Sequence, residues 1–176
     1  MIPYETLKKT MKKWGNKTML VSEARGETTR AQLLERSGKL AGALQETGIG
    51  KGDVIAVLLP NCVEFVELFF AASALGAVFQ PLDVRFRGEE LKNALTYTKA
   101  KLLVTHTSSV AEIEPALPTL GTKLIVGGDR EGWKSYEGFL SAGKAPRGKC
   151  KVDEHKDNAV FMFTSGSTGS IKCVPM

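Results

Sequence analysis

Cysteine is scarce in this chain, and what there is does not cluster. The 176 residues include three cysteines, Cys62, Cys150 and Cys173, odd in number and far apart. There is no Cys-x-x-Cys pair and no cysteine–histidine grouping, which argues against a zinc site and against a disulfide framework. Free thiols fit a reducing compartment, so a cytoplasmic location is expected. Only two histidines occur, His106 and His155, and neither lies within fifteen residues of Cys173. Cys173 therefore reads as an ordinary thiol before it reads as a nucleophile. The first residues lack the apolar core of a signal peptide, and none is expected. The longest apolar stretch, 62–79, contains Glu64 and Glu67 and is interrupted by Gly76. A buried helix followed by a strand suits it better than a membrane span. No internal repeat or low-complexity tract is visible. Basic residues exceed acidic ones by five. The excess is spread over many segments without interleaved aromatics, which disfavours a nucleic-acid surface and leaves small anions or a merely basic surface.

What is present is an ordinary globular composition, 43% hydrophobic and 24% charged, in a chain long enough for one domain with a core. Tyr4, Leu7, Met11 and Trp14 fall at helical spacing with lysines on the other face. That helix can dock on its own domain or lie on an anionic membrane. A strand is expected at 18–22, then a turn centred on Arg25-Gly26. Thr28 or Thr29 can cap a helix whose inner face is Leu33, Ser37, Leu40, Ala41 and Leu44, and Gly48 is placed to end it. Residues 54–59 (VIAVLL) form a β-branched and aliphatic run, the mark of a strand buried on both faces. Asn61 is the expected cap of a helix over 62–75, followed by a strand at 77–80. A helix at 88–98 should turn Leu91, Ala94, Leu95 and Thr98 inward. Strands at 101–105 and 123–126 flank a segment in which Pro115 and Pro118 must shorten a helix. A short helix is expected over 133–140, a polar connection over 142–155, and a last strand over 158–163. Strands alternating with helices predict an α/β fold, a mostly parallel sheet with helices on both faces. In such folds ligands sit beyond the carboxyl ends of the strands.

The last strand delivers the stretch with the strongest chemical signal: Thr164, Ser165, Gly166, Ser167, Thr168, Gly169, Ser170, Ile171 and Lys172. Glycines let a backbone turn and approach a ligand. Successive backbone N–H groups in such a turn form an anion-binding concavity. Hydroxyls add neutral donors and Lys172 a mobile cation. This is suitable chemistry for a polyphosphate. It is not a Walker A loop, because Ile171 stands five residues after Gly166 and Cys173 follows Lys172. Asp153, Glu154 and Asp157, with Lys151 and Lys156 among them, read as a solvated loop. No carboxylate pair is placed for acid/base work.

With those residues in view, the chain resembles the adenylate-forming superfamily of acyl- and aryl-CoA synthetases, luciferases and peptide-synthetase adenylation domains. Residues 164–172 resemble its phosphate loop, TSG[ST]TGxPKG. Residues 52–61 (GDVIAVLLPN), 74–83 (ALGAVFQPLD), Glu89-Glu90-Leu91 and 100–103 (AKLL) follow the family's order. Ile171 stands where the family has proline, and Cys173 where it has glycine. The resemblance implies the N-terminal portion of an adenylation domain over residues 1–176, ending just after the phosphate loop. It implies ATP with Mg2+, coenzyme A as co-substrate, and a carboxylic acid activated as its acyl-adenylate. By resemblance the adenine, ribose and acyl sites and a catalytic lysine fall after the loop, so no catalytic residue is assigned. Phosphate contact falls to Thr164, Ser165, Ser167, Thr168 and Lys172, with Gly166 and Gly169 shaping the loop. The chain alone is expected not to turn over. Association with a chain carrying the missing domain, a stand-alone nucleotide-binding module and a non-catalytic remnant remain the alternatives.

Overall fold

Five consecutive residues, Val54–Leu58, are almost completely shielded from water, and the molecule is layered around them. The computed structural model describes residues 3–148, 150–153, 155–165 and 171–176, with the backbone alone of Ser165 and Ile171. In chain order the elements begin with helices α1 (Pro3–Lys9) and α2 (Met11–Trp14) and a hairpin, β1 (Thr18–Ser22) and β2 (Gly26–Thr29). Then come α3 (Arg30–Glu46), β3 (Val54–Leu58), α4 (Val63–Leu75), β4 (Val78–Pro81), α5 (Gly88–Thr98) and β5 (Leu102–His106). The remainder is α6 (Thr107–Ile113), β6 (Thr122–Val126), β7 (Lys134–Ser135), α7 (Tyr136–Ala142), β8 (Phe161–Ser165) and β9 (Ile171–Pro175).

The main sheet is parallel, with order β4-β3-β5-β6-β7. Successive side chains of a strand point to opposite faces, and β3 divides its residues accordingly. Ile55 and Val57 join Leu40 and Leu44 of α3, Leu68 and Ala72 of α4 and Leu140 of α7 in one core. Val54, Ala56 and Leu58 join Leu91, Ala94 and Leu95 of α5 with Val110 and Ile113 of α6 in the other. Helices cover both faces, which is why this strand is apolar throughout rather than alternating.

Local sequence sets most element ends. Thr29 accepts a hydrogen bond from the Gln32 N–H while the Gln32 side chain accepts from the Thr29 N–H at 2.8 Å, a reciprocal capping box at the start of α3. All five predicted inner-face residues of α3 are buried, and Gly48, with φ +82°, ends the helix. The spans of β1 and α5 match the expected ones. At Pro115 the helix gives way to a 3-10 turn, Glu114–Ala116, because proline has no N–H to donate.

Five expectations need correction. The N-terminal helix is two pieces: Thr10 turns its hydroxyl back onto the carbonyls of Thr6 and Leu7 and receives Arg30. Its apolar side docks on its own domain, with Tyr4 and Leu7 buried against Leu33 and Phe70. Asn61 is not the cap of α4. That position is held by Cys62, in extended conformation at φ −146° and without a side-chain cap bond, since Pro60 and Asn61 are used in leaving the sheet. The helix expected from Trp133 starts at Tyr136, because Lys134–Ser135 pair with β6 and the Ser135 hydroxyl accepts from the Gly138 N–H. The connection after α7 is not simply a surface segment. The Lys144 carbonyl sits where a Cβ on Gly42 of α3 would be, at 1.8 Å, and the Lys39 carbonyl is 2.1 Å from a Cβ built on Gly143. The last strand is β8, and it pairs antiparallel with β9, an element not anticipated. This hairpin joins the main sheet through one parallel bridge, Phe79 with Val160, and the Phe79 N–H bond to the Ala159 carbonyl at 2.9 Å.

Gly42 gives a test of this packing. Gly42→Ala must push two backbones apart and should lower stability by about 2 kcal/mol or more, read from urea unfolding. An unchanged midpoint would mean that the 142–148 segment is not seated on α3.

Candidate functional site

The strands β8 and β9 flank the predicted phosphate loop in sequence. Thr164 lies directly opposite Lys172, and Ser165 opposite Ile171. Alternation along the strands sorts the hairpin into two faces. Met162, Thr164, Lys172 and Val174 are exposed on the outer face. Phe161, Phe163 and Cys173 are part-buried on the inner face, where Phe161 and Phe163 pack against the second core. Phe163 meets Phe86 edge to face, with ring centroids 6.2 Å apart, a geometry that favours the aromatic quadrupoles. The inner face thus anchors the hairpin and leaves the outer face exposed. Of the predicted phosphate residues, the structure brings Thr164 and Lys172 together as a hydroxyl and a cation side by side. Gly166, Ser167, Thr168 and Gly169 lie outside the described residues, as does the side chain of Ser165.

The pairing also shows what the Cys173 side chain does. It turns inward, across from Phe163 and away from the face of Lys172. Burial pushes its thiol upward. Burial raises Cys150 as well, and Cys62 to about 11. All three are free, and each is moved away from the thiolate that nucleophilic chemistry needs. His106 is occupied structurally: its Nδ1 accepts from the Ser108 N–H at 3.2 Å and caps α6. His155 is exposed. Asp157 is held below the usual carboxylate range by its bond to Lys51, at 2.6 Å. Among the described residues no group of three or more metal-ligating side chains could hold a metal ion, and no helix is long and apolar enough to cross a membrane.

The most elaborate polar arrangement is one that sequence reasoning missed. Glu67 of α4 has no exposed surface. Its carboxylate accepts from Arg36 Nε at 2.5 Å, from Arg25 Nη1 at 3.3 Å and from the Tyr136 hydroxyl at 2.7 Å. Arg25 also pairs with Glu64 at 2.7 Å and Glu137 at 2.6 Å, and Arg36 reaches Glu137 at 3.0 Å. Burial, with Glu67 beside it, raises the Tyr136 hydroxyl well above its ordinary value, so it stays a donor. The signal was available: Glu64 and Glu67, three residues apart, share one face of a helix that is otherwise apolar.

The sheet and hairpin define an α/β fold with Thr164 and Lys172 paired on an exposed hairpin face. Comparison with known proteins places the chain more closely. The family described as AMP-binding enzyme matches residues 7–176, and the chain belongs to that family. It is 27% identical to a probable CoA ligase of Humulus lupulus, CCL9, over 97% of this chain and 33% of that protein. It is 31% identical to the long-chain-fatty-acid–CoA ligase FadD13 of Mycobacterium tuberculosis, over 83% of this chain and 29% of that one. The anthranilate CoA ligase AuaEII, solved with anthranoyl-AMP, superposes with a TM-score of 0.89 over 98% of this chain and 34% of its own, at 24% identity, a likeness of fold. The chain thus spans about a third of the length of these relatives.

Removing the Glu67 carboxylate leaves a buried tyrosine hydroxyl and two arginines without their common acceptor. Glu67→Ala should cost about 3 kcal/mol and Tyr136→Phe about 1 kcal/mol in urea unfolding. Equal small losses from both would show that the arginines, not the carboxylate, hold these elements.

Proposed function

We propose that this chain supplies the phosphate-binding part of an ATP-dependent acid–CoA ligase. What carries the reading is the position of Thr164 and Lys172, paired on the outer face of a hairpin whose tip holds the glycine, serine and threonine residues, in a chain that matches the AMP-binding enzyme family through Met176. In such a reaction a carboxylate attacks the α-phosphate of ATP, giving an acyl-adenylate and releasing pyrophosphate. A thiol, coenzyme A, then takes the acyl group and AMP departs. Negative charge collects on the pyrophosphate as the bond to the α-phosphate breaks. Hydroxyl and N–H donors fixed beside a cation stabilise that charge without rearranging. Lys172 would balance the β- and γ-phosphates, and Thr164 and Ser165 would donate at the base of the loop. Ser167 and Thr168 would donate at its tip, with Gly166 and Gly169 giving the backbone its turn. Magnesium would arrive with the nucleotide, as the family resemblance implies.

The acid is of the fatty or aryl class, the classes named for FadD13 and for the anthranilate ligase. Residues 1–176 act as one part of an adenylation domain, completed by further chain or by an associated chain. On this reading the 176 residues bind nucleotide weakly and do not turn over, because they span about a third of the length of the relatives they match.

Calorimetric titration of magnesium-ATP tests the loop. Binding weakened about tenfold by Lys172→Ala, the loss of one charge-assisted contact, is the expected result; equal binding by both proteins would remove the hairpin from the site. Acid-dependent exchange of pyrophosphate into ATP by the chain alone would overturn the statement that it does not turn over.

A further inference from the structure

The basic excess, which reads as dispersed along the sequence, is concentrated at one corner of the fold. Residues 1–17 carry five lysines, Lys8, Lys9, Lys12, Lys13 and Lys17, against one carboxylate, Glu5. Four of the chain's five excess positive charges therefore lie in this segment. All five lysines are exposed. Glu5 is taken by Lys8 at 3.4 Å, and Glu27 accepts from the Thr18 hydroxyl at 2.7 Å. Among the described residues Lys9, Lys12, Lys13 and Lys17 form no ion pair, and Lys13 lies over the Trp14 ring, 4.8 Å from its centroid.

The fold decides what this segment turns outward. Tyr4 and Leu7 are buried with Leu33 and Phe70, so the apolar side of α1 is used within the domain and the segment is not a free amphipathic helix. The turn after α2 is fastened to the start of α3. The Ala31 N–H donates to the Gly15 carbonyl at 2.9 Å, and the Arg30 N–H to the Lys17 carbonyl at 3.0 Å. What is left outward is a fixed array of lysines with Trp14 among them. Trp14 is 40% exposed, whereas the other tryptophan, Trp133, is 8% exposed. A hollow of about 300 Å³ lies here, lined by residues 11–17, with three lysines and no carboxylate on its walls.

An apolar ring with a polar N–H suits the headgroup level of a bilayer, between water and acyl chains. Lysines at that level are drawn to anionic lipid by its surface potential. Nucleic acid would match the charge but not the tryptophan. Lys13 and Arg30 lie over the Trp14 ring at 4.8 Å and 5.9 Å, where a nucleobase would have to stack.

We propose that the corner formed by α1, α2 and the turn at 15–17 docks on an anionic lipid bilayer, with Lys9, Lys12, Lys13 and Lys17 on the headgroups and the Trp14 indole at headgroup level. The contact is peripheral and reversible, because no apolar helix face is left to enter the acyl region. It does not depend on the phosphate reading, since neither Lys172 nor the β8–β9 hairpin takes part.

The two tryptophans allow a test on the intact chain. Co-sedimentation and tryptophan fluorescence are followed with vesicles of phosphatidylcholine alone and of phosphatidylcholine with phosphatidylserine. Binding should require phosphatidylserine and fall as salt rises. Brominated lipid should quench the Trp14 emission, identified by its loss in Trp14→Phe, and spare that of Trp133. Lys12→Gln and Lys17→Gln should each weaken binding about fivefold, roughly one lysine at an anionic surface. Lys92→Gln, on α5 across the sheet, should leave it unchanged. Equal binding to phosphatidylcholine alone, no quenching of Trp14, a loss in Lys92→Gln as large as that in Lys12→Gln, or displacement from the vesicles by duplex DNA at equal phosphate concentration would each overturn the assignment.

Discussion

The buried carboxylate of Glu67 is the constraint on which one side of this molecule depends. An ionised group without exposed surface is tolerated only when its charge is paired and its lone pairs are filled. Here the partners come from three different elements, Arg25 from the turn between β1 and β2, Arg36 from α3 and Tyr136 from α7, while Glu64 of α4 and Glu137 of α7 pair in turn with the arginines. Satisfying Glu67 therefore requires the hairpin, two core helices and the helix at the far edge of the sheet to converge. An apolar residue would pack there without specifying a partner. A carboxylate with directional donors selects one arrangement, and it does so directly beside the carboxyl ends of β3 and β6.

The Glu67 cluster and the hairpin are built on different logic. Beside the carboxyl ends of the central strands, Glu64, Glu67 and Glu137 are paired with Arg25 and Arg36. At the β8–β9 hairpin the anchoring is apolar: Phe161 and Phe163 hold the inner face against the core and Phe86. The outer face is thereby left to Thr164 and Lys172. On the proposed reading an anchored hairpin suits a loop that presents donors to a polyphosphate, because a loop on a fixed base loses less entropy on binding. Cys173 belongs to the anchor by its position in the register, opposite Phe163.

Much of this was legible along the chain. The run Val54–Leu58 could only be a strand buried on both faces, and the structure fills both with helices. The inner face of α3 and that of α5 were readable residue by residue, since helical periodicity and a local capping box do not depend on distant chain. The hydroxyl- and glycine-rich stretch before Lys172 was readable as composition and order. That Thr164 and Lys172 stand opposite each other was not, because it depends on a returning strand of five residues whose pairing is with its immediate predecessor rather than with the parallel sheet. Glu64 and Glu67 were visible as interruptions in an apolar run. Their partners were not, since Arg25, Arg36 and Tyr136 are brought to them by packing across 31 to 69 residues of sequence.

Sequence by itself determined the alternation of strands and helices, the inner faces, the helix ends set by Thr29, Gly48 and Pro115, and the hydroxyl- and glycine-rich stretch before Lys172. These are effects of period, backbone freedom and neighbouring side chains, all short in range. Tertiary structure decided the order of strands in the sheet. It also decided the seating of the Lys144 carbonyl against Gly42, the inward turn of Cys173 and the filling of the Glu67 coordination. Each of these depends on surfaces meeting that lie far apart along the chain. Such meetings are governed by which complete set of faces can be buried at once, a property of the assembled layers and not of any one segment.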